Sequence, residues 1–296
     1  MTLDHRNDHD LPSHLVRHDA PKDMPTLEAL AREAVHGDAH ALSALCRALE
    51  SPIYRLCVRI LGDPRDAEDA AQDVLIKVVT NLALFEGRSA LLTWVHTIAV
   101  RHVLALKNSR AEARALDEDA FSAMLEQGRA FGATLPAPTA EDHAFLDEVR
   151  LSCTQGMLLM LSRQERLALV LVELLGFEGA EAAEIAEVSH DALRQQLTRG
   201  RKKLGDFLRA RCGLANDEAA CRCEAQLPAK RAISKTPRFL PIAGGDLPMR
   251  AAPGAHEELA ELRALAAAFR SDGLFHAPAS LRRRMHEALP RLLGPP

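Results

Sequence analysis

Between residues 26 and 113, apolar side chains recur every three or four positions, which is the pattern of amphipathic helices. Gly37–Asp38 and Gly62–Asp63–Pro64 interrupt this pattern, so that a helix pair and a further apolar stripe precede a carboxylate-rich helix. We expect Asp66 to cap that acidic helix and Ser89 to cap the helix that follows it. The stretch is therefore predicted to form a helical bundle.

The rest of the chain divides by composition. Residues 1–25 are rich in Asp, His and Pro without an apolar period, and we expect a disordered tail there. The period weakens over 114–140, which predicts a linker, and returns over 141–211 with room for about four helices. Residues 212–296 are rich in Pro and Gly but contain amphipathic stretches. We therefore predict an all-α protein with two small helical domains, a flexible linker and a partly helical C-terminal extension.

Composition supports this fold class and separates two charged surfaces. The 296 residues are 47% hydrophobic but only 4% aromatic, a usage that favours helical bundles built from Leu, Ala, Val and Ile. The net charge is only −4, but the charges are unevenly distributed. Residues 63–73 contain five carboxylates and one cation, whereas residues 194–211 contain seven cations and one carboxylate. Such segregation predicts separate basic and acidic partners.

No apolar run reaches the roughly 20 residues that a membrane span needs, and the N-terminus lacks the apolar core of a signal peptide. We expect no membrane insertion and a cytoplasmic location, where the six cysteines would be reduced, free or metal-bound.

The basic segment has the layout of a helix-turn-helix. A short helix over 178–185, a turn at Ala186–Glu187–Val188 and an N-cap at Ser189 precede a longer helix through Leu204. Glu187 lies where such turns often place glycine, at a cost on the order of 1 kcal/mol. Near the start of the second helix, the side chains of His190, Asp191, Arg194 and Gln195 suit contacts to base edges. The cations that follow suit contacts to phosphates. A solvated basic helix end is the alternative.

The acidic helix places Asp66, Asp69 and Asp73 on one face, at spacings of three and four residues. Carboxylates at those spacings repel each other, and a cationic partner would relieve the repulsion. Paired catalytic carboxylates are a weak alternative because no His, metal-ligand set or nucleophile accompanies them. A solvated acidic face is the stronger alternative.

The single tryptophan, Trp94, lies between the acidic helix and a cation-bearing segment. Bases drawn out of a duplex stack on flat side chains while cations hold their phosphates. The position therefore suggests contact with unstacked bases, although packing in the core is the more usual role of such a residue.

Together, the acidic motif at 66–74, Phe85-x-Gly-x-Ser, Thr93-Trp94-Val-x-x-Ile-Ala, the Leu161-Ser-Arg-Gln-Glu-Arg block and the basic helix-turn-helix resemble the extracytoplasmic-function group, group IV, of the sigma-70 family. The resemblance implies a non-enzymatic RNA polymerase subunit with region 2 at 26–113 and region 4 at 141–211. It also implies that the partners are the β′ and β subunits of core polymerase, double- and single-stranded promoter DNA, and an anti-sigma factor.

The resemblance assigns three sets of residues. The set that grips a coiled coil of the β′ subunit is Asp66, Glu68, Asp69, Gln72 and Asp73. The set that reads and melts the −10 element is Phe85, Arg88, Ser89, Thr93, Trp94, His96 and Arg101. The set that reads the −35 element is Ser189, His190, Asp191, Arg194, Gln195, Thr198, Arg199, Arg201 and Lys202. The chain departs from the family pattern at Arg88, Ala180, Ala182 and Glu187.

The extension contains three neighbouring thiols, Cys212, Cys221 and Cys223. Zinc normally takes four ligands, often from C-x2-C pairs, so a zinc site would need one more group, such as His256, His276 or His286. Free thiols are the alternative, and no cofactor is required. The arginines at 282–284 are expected to be a solvated face. Two other functions stay open: a regulator that uses only the helix-turn-helix, and a metal- or thiol-dependent transcriptional sensor.

Overall fold

The computed structural model describes residues 26–106, 116–139, 146–233 and 277–293. The predicted tail at 1–25 lies outside these residues. The helices, in chain order, are α1 (Leu27–Val35), α2 (Ala39–Leu61), α3 (Pro64–Thr80), α4 (Leu91–Ala105), α5 (Glu118–Gly132), α6 (Leu146–Leu159), α7 (Arg163–Leu169), α8 (Gly179–Ala186), α9 (His190–Arg211), α10 (Cys223–Ile233) and α11 (Ala279–Leu293). No strand occurs in these ranges, and the all-α prediction is confirmed.

Helices α1 to α4 form the first bundle around the fully buried side chains of α2 and α3. The predicted breaks are confirmed: Asp38 caps α2, and Gly62 ends it in the left-handed conformation, at φ 74°. The two apolar stripes between those breaks belong to one helix, which continues through Pro52. The cap predicted for α3 is wrong, because Asp63 and not Asp66 accepts the first amide hydrogens and Pro64 occupies the first helical position.

The second bundle consists of α6 to α9, and the side chain of Arg166 joins it to α2. Arg166 is 2% exposed. Its guanidinium donates to the carbonyl of Leu158 at 2.9 Å and that of Leu161 at 3.1 Å, and also to the carbonyl of Ile60 on α2. Because Leu158 and Ile60 lie in the last turns of α6 and α2, the cation is stabilised by the negative ends of both helices.

The linker predicted over 114–140 contains the 15-residue helix α5. Its Phe121 is fully buried, and the Phe121 ring packs against that of Phe207 on α9 with centroids 5.5 Å apart. On its other side, α5 receives α10, where Gln226 donates to the carbonyl of Leu125 at 2.7 Å. The segment between the two domains is therefore a structural element of the second bundle over this range.

The extension is partly helical, as predicted, because α10 and α11 both fall within 212–296. The amphipathic stretch at 281–289 forms part of α11, which packs on α2 and α3, whereas the stretch at 259–269 lies outside the described residues. Among the helices of the described ranges, none has the length and apolarity needed to cross a membrane.

We expect Gly156→Ala to destabilise the protein, although alanine is ordinarily the better residue inside a helix by about 0.5 to 1 kcal/mol. A Cβ at residue 156 would collide with the ring of Phe121. Overpacking of this kind costs about 1 to 3 kcal/mol, measurable by urea unfolding. In a Phe121→Ala background the same substitution should be neutral or stabilising. An equal loss in both backgrounds would contradict the packing of α5 on α6.

Candidate functional site

The acidic face comprises Asp66, Glu68, Asp69, Gln72 and Asp73 on α3. Exposure differs along it, since the Asp69 side chain is 63% exposed and that of Glu68 only 20%. Asp69 and Glu68 both contact the guanidinium of Arg284, at 2.9 and 3.0 Å. Asp73 lies 3.5 Å from the His102 ring at the other end of the face. A cation therefore does meet these carboxylates, as their mutual repulsion predicted, and within this structure it comes from the chain's own extension.

The loop before α4 packs its aromatic residue on Trp94. The rings of Phe85 and Trp94 lie 5.5 Å apart with a 50° tilt, and both side chains are half-buried. Arg88 is exposed and pairs with Glu86 at 3.0 Å. The cap predicted at Ser89 is wrong: Ala90 precedes the helix without a side-chain cap, and the Glu28 carboxylate accepts from the Leu91 amide at 3.1 Å. A contact from α1 thus replaces the local cap.

One face of α4 lies against α8 and the segment before it. Thr93 is 3% exposed and donates to the Glu181 carboxylate, while His96 is 2% exposed and lies edge-on to Phe177 at 5.0 Å. Burial lowers the pKa of His96 to about 4, so the ring is neutral near pH 7. Arg101 is exposed and pairs with Glu187. In this arrangement Thr93 and His96 are not accessible to DNA, contrary to the expected role of both.

The helix-turn-helix has the predicted layout. Helix α8 ends at Ala186, and Ser189 caps α9 by accepting from the Ala192 amide at 3.2 Å. Between them, Glu187 adopts φ 54° and ψ 41°. Among the described residues it is the sole non-glycine residue with a positive φ. The strain inferred for Glu187 is therefore present, and the Arg101 guanidinium holds the same side chain from α4.

Burial sorts the residues of α9 into two groups. The residues assigned to the −35 element that are exposed are Ser189, His190, Asp191, Arg194, Gln195, Thr198, Arg199 and Lys202. Arg201 differs, because its Nε lies 2.9 Å from the carboxylate of Glu173, whose side chain is 12% exposed. Lys203 likewise binds the buried Glu165 at 2.8 Å. Arg201, which was expected to contact DNA, is thus half-buried in an ion pair within the second bundle.

Comparison with known families matches two separate parts of the chain. Residues 45–112 match Sigma-70 region 2, and residues 151–204 match Sigma-70, region 4. The chain carries regions 2 and 4 of the sigma-70 family. Region 2 corresponds to most of the first bundle, and region 4 runs from α6 into α9. The extension that carries α10 and α11 lies beyond both matched regions.

Among curated relatives, this sigma factor is 27% identical to the ECF RNA polymerase sigma factor SigC of Mycobacterium tuberculosis over 184 residues, covering 62% of this chain and 91% of SigC. It is 25% identical to SigW of Bacillus subtilis over 178 residues, covering 60% and 94%.

Two solved structures are similar at lower identity. The first is CnrH in complex with the cytosolic domain of CnrY, with 22% identity, a TM-score of 0.42 and coverage of 60% of this chain and 94% of that one. The second is the sigma factor RpoE in complex with the anti-sigma factor NepR from Bartonella quintana, with 21% identity, a TM-score of 0.36 and coverage of 60% and 98%.

The thiols of the sigma factor's extension approach a fourth thiol that sequence reasoning had not grouped with them. Backbone pairing places Cys212 beside Cys221, and Cys223 begins α10. Burial raises the pKa of Cys153 on α6, and the nearby Cys212, Cys223 and Cys221 raise it further. Only the packing of α10 on α6 could reveal this proximity, because Cys153 is distant in sequence.

Zinc at these thiols stays a prediction. Within the described residues no group of three or more His, Cys, Asp or Glu side chains is arranged to hold a metal ion. Of the three histidines considered as a fourth ligand, His256 and His276 lie outside the described residues and His286 belongs to α11.

The strain of the turn at Glu187 can be measured with two substitutions at this residue. Both Glu187→Gly and Glu187→Gln remove the charge that pairs with Arg101, but only glycine removes the strain of the left-handed conformation. Glycine relieves the strain but also increases the entropy of the unfolded chain, which offsets part of the gain. We expect Glu187→Gly to be more stable than Glu187→Gln by about 0.5 to 1 kcal/mol in chemical unfolding.

Arg101→Ala serves as the control, because it breaks the ion pair and leaves the turn unchanged. A Glu187→Gln protein at least as stable as Glu187→Gly would show that the turn is not strained.

Proposed function

We propose that this sigma factor binds core RNA polymerase through the acidic face of region 2 and directs promoter-specific initiation, reading the −10 element with region 2 and the −35 element with region 4. The observation that carries the proposal is the joint presence of the acidic face, the Phe85–Trp94 pair and the exposed start of α9 in a chain that matches both sigma regions. As a polymerase subunit it needs no catalytic group of its own, and its work places it in the cytoplasm with the DNA.

Charge supports the assignment of the polymerase-binding surface. A helix face with carboxylates at three- and four-residue spacings gains from a partner that supplies cations. Asp66, Glu68, Asp69, Gln72 and Asp73 are all exposed or half-buried on that face, where a helical partner such as the β′ coiled coil could reach them. The exposed Asp69 would be easier to reach than the partly covered Glu68.

Recognition of the −10 element would begin at the loop before α4. Arg88 is exposed and the neighbouring Phe85, Ser89 and Trp94 are half-buried, so a flipped base could insert beside the two rings with a cation near its phosphate. Thr93 and His96 could join only after α8 leaves α4. DNA reading by the whole set therefore requires regions 2 and 4 to separate, which polymerase binding to both regions would favour.

Recognition of the −35 element would use the exposed start of α9. Arg194 and Gln195 can each make paired hydrogen bonds to purine edges in the major groove. Arg199 and Lys202 lie about one to two turns further along and would contact phosphates, whereas Arg201 stays with Glu173. An anti-sigma factor that masks these surfaces would be a further partner.

A regulator that works through the helix-turn-helix alone would leave the acidic face and the Phe85–Trp94 pair without a role. Run-off transcription decides between the two functions: this chain added to purified core polymerase should start a promoter-specific transcript. Charge reversal at Asp73, a residue outside the contact with Arg284, should reduce that transcript by weakening polymerase binding. DNA binding without any transcript would favour the regulator and contradict the proposal.

For the −35 reader, we expect Arg194→Ala to weaken binding to the upstream element by about 1 to 3 kcal/mol and to relax its sequence preference. Arg201→Ala is the matched control on the same helix. It should lower the stability of region 4, because it removes a cation from the largely buried Glu173 carboxylate, while the sequence preference of the folded protein stays unchanged. Fluorescence anisotropy on specific and scrambled duplexes measures both effects. Equal losses on the two duplexes for Arg194→Ala would remove its base-reading role.

A further inference from the structure

Helix α11 is seated on region 2 by a stripe of apolar side chains four residues apart. Ala277, Leu281, Met285 and Leu289 are 3%, 0%, 1% and 8% exposed. They face α2 and α3, the helices on which α11 packs. Just before the helix, the Ala277 amide donates to the Ser51 hydroxyl of α2 at 3.2 Å. The burial shows that this end of the extension is docked on region 2 along its length.

Charge complementarity fixes where on region 2 the helix lies. Arg284 reaches α3, with one nitrogen 2.9 Å from Asp69 and the other 3.0 Å from Glu68. Arg282 lies 3.8 Å from Glu50 on α2, whose side chain is 5% exposed. The expectation of a solvated arginine face is therefore wrong for Arg284, which is 33% exposed, and holds for the exposed Arg282 and Arg283.

We propose that α11 is a built-in competitor for the polymerase-binding surface, so that α11 and core polymerase occupy α3 in mutually exclusive ways. The inference rests on the proposed function. Glu68 and Asp69 belong to the acidic face, and while both are paired with Arg284 they are not free to accept cations from a partner. A partner helix laid along α3 would also meet the body of α11.

Competition of this kind lowers the apparent affinity by the fraction of molecules in which α11 is undocked. If α11 is docked in about 90 to 99% of molecules, polymerase binds about 10- to 100-fold more weakly than it would to an open chain. Arg284 and Asp69 are partly exposed, and ion pairs of that kind contribute little on their own. The apolar stripe therefore determines the docked fraction, and a test has to disrupt Leu281 and Met285.

The experiment uses three full-length proteins: the natural chain, Leu281→Asp/Met285→Asp, and the control Arg283→Ala on the exposed side of α11. Hydrogen exchange over α2 and α3 reports whether α11 is docked, and fluorescence anisotropy with purified core polymerase reports affinity. We expect the double variant alone to exchange faster at these helices and to bind polymerase about 10- to 100-fold more tightly. A synthetic peptide of residues 277–293, added in trans, should reverse the gain.

The outcomes separate the inference from the function on which it rests. If the double variant exchanges faster but binds polymerase no more tightly, α11 does not compete and the inference is overturned. If exchange and affinity both match those of the natural chain, α11 is not docked in solution and the inference is overturned as well. If none of the three proteins binds polymerase, the proposed function itself fails. A double variant whose circular dichroism loses no more than the helical signal of the 15-residue α11 has kept its other helices folded.

Discussion

The arrangement of the two sigma regions depends on the buried cation of Arg166. Burying a guanidinium is costly unless hydrogen bonds and charge compensate for it. Here the carbonyls of Ile60, Leu158 and Leu161 accept from it, and two of them belong to helix C-termini that carry negative partial charge. The guanidinium can accept this arrangement only if the C-termini of α2 and α6 both lie beside it. The contact therefore fixes the position of region 4 against region 2.

That docking places α8 over the side of α4 that carries Thr93 and His96. Thr93 and His96 are buried there, and burial lowers the pKa of His96 to about 4. The Arg101–Glu187 pair closes the exposed edge of the contact. Region 4 therefore covers residues of region 2 that the family resemblance assigns to promoter DNA, while α11 covers part of the acidic face. The chain by itself adopts a closed state, from which polymerase and DNA would have to release it.

Local sequence signals predicted the parts of the fold that depend on local chemistry. The glycine and proline breaks, the cap at Ser189 and the strained Glu187 were all identified, because caps and turns depend on neighbouring residues. Contacts between distant segments were not. The acidic residues and glycines of α5 favoured a linker, but Phe121 packs this segment as a helix against α9. Glu28 replaced the cap expected at Ser89 from 63 residues away. The approach of Cys153 to the thiols of the extension has the same origin.

The cations of α9 show why site residues are harder to predict than helices. By sequence Arg194, Arg201 and Lys203 are alike, yet burial of their partners separates them. Glu165 is 5% exposed, and although burial opposes its ionisation, hydrogen bonds from Lys203 and Ser162 lower its pKa overall. A buried carboxylate cannot give up its cation without a large penalty, whereas exposed pairs such as Arg194–Asp191 cost little to break. Lys203 and Arg201 therefore hold region 4 together, and the exposed Arg194 remains exchangeable for DNA. Arg199 lies 4.0 Å from Glu165, farther from it than Lys203 at 2.8 Å. The same criterion applies to Arg284, whose exposed partner Asp69 can pass from the extension to a competing partner.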